Sequence, residues 1–170
     1  MPPQRLPSRP FSHDRRSPSK RGNLTPTMLV AENDLKRVRL ANLRVGLTEF
    51  GAVWAAAEER VSAQARASVT DWFAGGVVLT CRWLAGAAVE FRGLRRLPVA
   101  PITRRTSPAI EELIEAEYIA AVTLTGNPVS PLVVDRPGFL DAIVATLAWA
   151  WRRSGPAPDL GSGPAHLGQA

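Results

Sequence analysis

Five arginines and four glutamates lie in adjoining blocks of this chain, and they are the residues best able to do chemistry. Arg92, Arg95, Arg96, Arg104 and Arg105 fall within 14 residues, with Phe91 and Pro98 nearby. Guanidinium groups so spaced on a loop suit phosphate oxygens, from nucleic acid or a nucleotide, because each presents a planar fork of donors. Glu111, Glu112, Glu115 and Glu117 follow directly. Pairing of Arg104 or Arg105 with Glu111 or Glu112 is the simpler use of both blocks. Aromatic interleaving is thin, and no helix-turn-helix is legible.

Carboxylates are also metal ligands. Glu112 and Glu115 have the i, i+3 spacing that puts both on one helical face. With Glu111, and with Glu58 and Glu59 earlier in the chain, they loosely resemble the acidic pairs of all-helical nucleotide pyrophosphatases. That resemblance implies a Mg²⁺-dependent nucleotide hydrolase. The second acidic pair is missing from the next helix, where Asp135 and Asp141 stand six residues apart. A solvated acidic face is the plainer expectation, with no metal and no cofactor.

Residue type excludes much else. The two histidines, His13 and His166, sit in terminal stretches expected to be disordered. The folded region then has no imidazole for a Ser-His-Asp or Cys-His system, a zinc site or a general base. Cys81 is the only cysteine, so no intrachain disulfide forms, and a buried helical position makes it a small apolar residue. Gly75-Gly76 is no phosphate loop, since no Lys-Ser/Thr follows, and close helix packing is the expected reason for the pair. These absences favour a non-catalytic protein.

Charge and composition narrow the partners. Residues 1–27 hold six basic side chains against Asp14 alone, while the remainder has 15 basic and 14 acidic residues. The high pI therefore describes a tail, not a basic fold. Met1 and Met28 are the only methionines, so Met28 is an alternative start that would place the tail upstream of the protein. Arginine outnumbers lysine 19 to 2, as in chains from GC-rich bacterial genomes. The tail lacks a secretory apolar stretch, and the expected setting is the cytoplasm. Residues 72–89 are apolar enough to raise a membrane span, but Arg82 near the middle argues for a buried helix instead.

The elements that must position these groups are helices. Leu40, Leu43, Leu47, Phe50, Trp54, Ala57 and Val61 alternate in steps of three and four, a heptad seam predicting a helix over 34–67, capped by Asn33 or Asp34. Ser68-Val69-Thr70-Asp71 marks a break, and a second helix follows to about Ala88. That helix repeats itself: Asp71-Trp72-Phe73-Ala74-Gly75 is echoed by Arg82-Trp83-Leu84-Ala85-Gly86. Eleven residues are close to three turns, so Trp72 and Trp83 share a face, roughly 16 Å apart at about 1.5 Å per residue. Gly75 and Gly86 are read as points of close packing or as parts of a partner groove beside the two indoles. Apolar nearly all round, the helix belongs at the centre of a bundle.

Residues 89–106 read as irregular. Ser107-Pro108 opens a third helix with the stripe Ile110, Leu113, Ile114, Tyr118 and Val122, ended by Gly126. Val129–Asp135 is a possible strand partner for Leu97–Thr103. A fourth helix runs from an Asp135 cap through Phe139, Leu140, Ile143, Val144, Leu147 and Trp151 to Gly155. Trp149 and Trp151 point to different sides, and one should be partly exposed. The sequence thus predicts a single all-α, four- or five-helix bundle-like domain over 28–155, with disordered tails at 1–27 and 156–170. The expected function is a small helical interaction or regulatory module that binds a protein partner or itself. A nucleic-acid-associated protein and the Mg²⁺-dependent hydrolase are the alternatives.

Overall fold

Helix building begins later than the apolar spacing suggests. A computed structural model describes residues 32–91 and 94–161. In it the seam is interrupted at Gly46, whose extended backbone (φ −64°, ψ 140°) makes it the N-cap of α2 (Leu47–Arg66). Before it lie only the single turn α1 (Glu32–Leu35) and a 3₁₀ turn at Leu40–Asn42. The predicted helix over 34–67 is therefore shortened by more than a third. Leu40 drops out of the seam and is 68% exposed, while Phe50, Trp54 and Ala57 keep it and are buried. Glycine explains the break, because its low helix propensity makes it a better cap than an interior residue.

The chain then builds an all-α domain around four long helices. After α2 come α3 (Trp72–Ala85), α4 (Glu111–Thr125), the single turn α5 (Pro131–Val134) and α6 (Phe139–Ala150). Asp71 caps α3, its carboxylate accepting from the Ala74 N–H at 2.9 Å, and Gly86 closes it in the left-handed conformation (φ 63°). α3 packs against both α2 and α6, and α6 packs in turn on α4. This makes α3 and α6 the inner pair, as the all-round apolarity of α3 requires.

Of the glycines expected at points of close approach, only Gly76 is one. A Cβ on Gly76, not Gly75, would meet Ala142 Cβ and the Phe139 carbonyl at 2.8 Å each, so α3 and α6 touch there. Gly75 faces open space, and Gly86 serves to end the helix. Both Trp149 and Trp151 are buried, against the expectation that one would be exposed. Trp149 stacks on Phe50 with ring centroids 6.3 Å apart and donates to Glu49, and Trp151 donates to Glu115 under the Arg44 guanidinium. The indole N–H of each is satisfied by a carboxylate from a neighbouring helix, which is how a tryptophan can be buried cheaply.

Three further local expectations are corrected. Within the stretch read as irregular, β1 (Val89–Phe91) pairs antiparallel with β2 (Leu94–Arg96), with Glu90 opposite Arg95. Residues 131–134 form helix α5, so the expected pairing of Val129–Asp135 with Leu97–Thr103 does not occur. The segment after α6 is not free: Pro158 is buried, and Ala157 and Leu160 pack on the core. The 1–27 tail, His13 and His166 lie outside the described residues. No helix among the described residues is long and apolar enough to cross a membrane.

Candidate functional site

A cleft opens where α3 ends. Its inner wall is Trp83, Leu84, Ala85 and Gly86, and its outer wall comes from the 97–109 segment through Leu97, Pro98, Thr106, Pro108 and Ala109. Asn42 closes the base, Arg37 and Arg39 stand at the mouth, and the volume is about 180 Å³. Each wall has a local cause. Burial of Val38 and the extended backbone at Arg39 (φ −72°, ψ 110°) turn Arg37 and Arg39 outward on either side of it. The left-handed turn at Gly86 returns its own N–H and that of Ala87 to the carbonyls of Arg82 and Trp83. The Leu84 carbonyl, left over by this cap, is taken by Asn42.

Asn42 is the hinge-pin of the cleft and is only 4% exposed. Its Nδ2 donates to the Ala109 carbonyl at 3.0 Å and to the Leu84 carbonyl at 3.4 Å, tying the outer wall to α3. Trp83 adds a longer contact from its indole N–H to the Ser107 carbonyl, at 3.5 Å. Both Asn42 donors are thus spent, while Oδ1 accepts from no described residue. No sealed side-chain polar atom among the described residues lacks a partner, so Oδ1 is not sealed, and Asn42 lines the cleft. A side chain that is 96% covered yet keeps an open acceptor is set up to receive an N–H donor.

The electrostatics of the mouth are one-sided. Arg37 has a single loose contact to Asp34 at 4.0 Å. Arg39 is exposed and makes no ion pair among the described residues. No carboxylate among the described residues lines the cleft. Leu97, 66% exposed, forms an apolar lip beside these cations.

The sequence-predicted residues are distributed differently from expectation. Trp72 and Trp83 do not share a groove: Trp83 lines the cleft just described, whereas Trp72 lines another at the opposite end of α3 with Arg60, Gln64, Asp71, Phe73 and Pro137. Gly86 joins the Trp83 cleft and Gly75 joins neither. Among the arginines, Arg92 lies outside the described residues and Arg95 sits on β2. Arg96, Arg104 and Arg105 are exposed. Arg104 takes a left-handed backbone (φ 58°) in the turn that precedes α4.

The glutamates have other partners than those arginines. Glu111 faces Arg44 at 3.7 Å, and Glu115 binds Arg152 at 3.0 Å while accepting from Trp151. Glu112 is exposed. Glu58 is buried against Arg82 (2.5 Å), with the Trp54 N–H on the same oxygen at 3.0 Å, so it points away from any acidic pair on α4. No group of three or more His, Cys, Asp or Glu side chains able to hold a metal occurs among the described residues. Glu117, the last of the four glutamates, is fully buried and accepts from the N–H groups of Ile102 and Thr103. Burial pushes the Cys81 thiol pKa well above its ordinary range, and the charge of Glu58 adds to the rise.

Asn42, Arg37, Arg39, Leu97 and Thr106 were missed by sequence reasoning. The one available signal was Asn42, a polar residue set between Leu40 and Leu43 inside the apolar seam. No known protein family, no curated protein and no solved structure matches this chain.

Proposed function

We propose that this protein is a non-catalytic helical interaction module, and that the Trp83 cleft receives one apolar side chain of a protein partner. The carrying observation is the size and chemistry of the cleft. At about 180 Å³ it is close to a cavity that holds benzene, about 150 Å³, and well below the roughly 300–1,000 Å³ of cofactor and drug sites. A nucleotide or a cofactor is too large for it, whereas a Leu, Phe or Trp side chain fits. Its lining is mostly apolar, and Thr106 supplies the only hydroxyl among the described lining residues. A buried apolar pocket with a polar rim is the form that a binding hot spot takes.

The test uses Thr106, an exposed residue on the outer wall. Thr106→Trp fills the cleft from its rim without touching the core. Affinity capture from lysate with the wild-type and T106W chains, with light scattering of each, should show a complex or dimer that only the open cleft forms. Equal capture by both chains, or a strict monomer with no partner, would overturn the reading.

A further inference from the structure

The cleft is not merely apolar, and its polar groups specify what surrounds the inserted side chain. Three features converge on it. The floor offers an acceptor, Asn42 Oδ1, with both donors of the same amide already used. The mouth offers two cations, Arg37 and Arg39, whose one ion contact among the described residues is the loose one from Arg37 to Asp34 at 4.0 Å, and no described carboxylate lines the site. The lip offers the exposed Leu97.

A peptide backbone supplies the N–H that Oδ1 lacks, and an acidic side chain next to the anchor supplies the charge. We propose that the natural occupant is an acidic peptide segment of a partner protein: one Leu, Phe or Trp inserted against Trp83, a main-chain N–H on Asn42, and an Asp or Glu between Arg37 and Arg39. This rests on the preceding reading of the cleft and adds the identity of what enters it. Charge complementarity excludes the basic residues 1–27 of the same chain as that occupant, since they would place more arginine against Arg37 and Arg39.

The probe is a random-sequence peptide display library panned on the full-length protein, with enriched sequences resynthesised. Binding is then measured on the wild-type, Arg37→Glu/Arg39→Glu and Thr106→Trp chains. All three positions are exposed, and circular dichroism verifies that each variant folds. Enriched peptides should pair one large apolar residue with neighbouring Asp or Glu. Affinity should fall about tenfold or more in R37E/R39E and with rising salt, and T106W should abolish it. Peptides that T106W blocks, but that show no acidic bias and no loss in R37E/R39E, overturn the acidic-segment proposal and leave the cleft reading standing. Failure to obtain any peptide sensitive to T106W removes both. Displacement of acidic peptides from the wild-type chain by a single-stranded oligonucleotide that R37E/R39E no longer binds would assign the arginines to nucleic acid and overturn the proposal.

Discussion

The two ends of helix α3 carry similar residues and are used in opposite ways. At its N-terminal end Trp72 lies beside Arg60 and Asp71, which pair at 2.5 Å, and the Arg136 guanidinium sits over the indole at 5.2 Å from its centroid. Every charge there has a partner, and the Trp72 cleft is electrostatically spent. At the C-terminal end Trp83 is buried, the arginines of the cleft mouth find little acid, and Asn42 keeps an unused acceptor. Between the ends lies a sealed flank, where Glu58 and Arg82 neutralise each other and Gly76 lets α6 close in. The comparison teaches that aromatic content does not distinguish a site from a core. The distinguishing property is whether the neighbouring polar groups are satisfied internally.

The sharpest way to break this contrast is to attack the sealed flank. Arg82→Met leaves the Glu58 carboxylate buried without its cation, and should cost about 3–5 kcal/mol. Urea denaturation of R82M should therefore show a large fall in midpoint. The double variant Glu58→Gln/Arg82→Met should recover much of it, because a neutral amide oxygen still accepts from the Trp54 N–H and no unpaired charge stays buried. If the double variant is as unstable as the single one, the pair is not the closed unit described here.

A smaller loss is expected at the α3–α6 contact. Gly76→Ala drives a methyl into Ala142 and the Phe139 carbonyl, and about 1–3 kcal/mol should be lost in thermal or chemical unfolding. Gly75→Ala, one position away, meets open space and should be neutral or slightly stabilising. Equal effects at the two glycines would contradict the packing described.

Helix existence was legible, in three-and-four spacing for α2, α4 and α6 and in unbroken apolarity for α3. Yet α4 starts at Glu111 with Ile110 as N-cap rather than at Ser107-Pro108, and α6 starts after Gly138 rather than at an Asp135 cap. Their ends were less legible. Gly46 cut the seam because a cap outweighed periodicity, and Gly76 rather than Gly75 met α6 because the rotational position of a helix is set by its neighbours. The site was hardly legible at all. Arg37, Asn42, Leu97 and Thr106 come from separate stretches around Trp83, and of the five only Trp83 belongs to a repeated pattern. Spacing joined Trp72 to Trp83 on one helix face but could not show that different loops cover the two ends.

Alkaline titration offers a milder test of the sealed flank. The folded-state pKa of Cys81 is raised, so the native chain holds the thiol proton that the unfolded chain releases. Its contribution to stability is complete below the unfolded value of about 8.5 and is lost as pH rises, by at most about 1.4 kcal/mol per unit. Cys81→Ala should flatten that part of the profile, and a thiol reagent should label Cys81 in the wild type only upon unfolding. Prompt labelling of the native protein would show that the flank is open. The smallest effect is expected at the other end: Arg39→Ala should change stability by less than about 0.5 kcal/mol. Its consequence should appear only in binding, which separates a surface reserved for a partner from one used to fold.

Glu117 has a consequence that reaches the cleft from behind. By holding the amides of Ile102 and Thr103, it clamps the middle of the segment whose two flanks form the outer wall. The turn is further closed by the Ala100 N–H on the Arg105 carbonyl at 2.9 Å and by the Arg104 N–H on the Ala100 carbonyl at 3.1 Å. The wall is therefore preorganised: the entropy of ordering this loop is spent when the protein folds, not when a partner arrives. An incoming segment meets a finished receptor, and its affinity is lowered chiefly by its own loss of freedom.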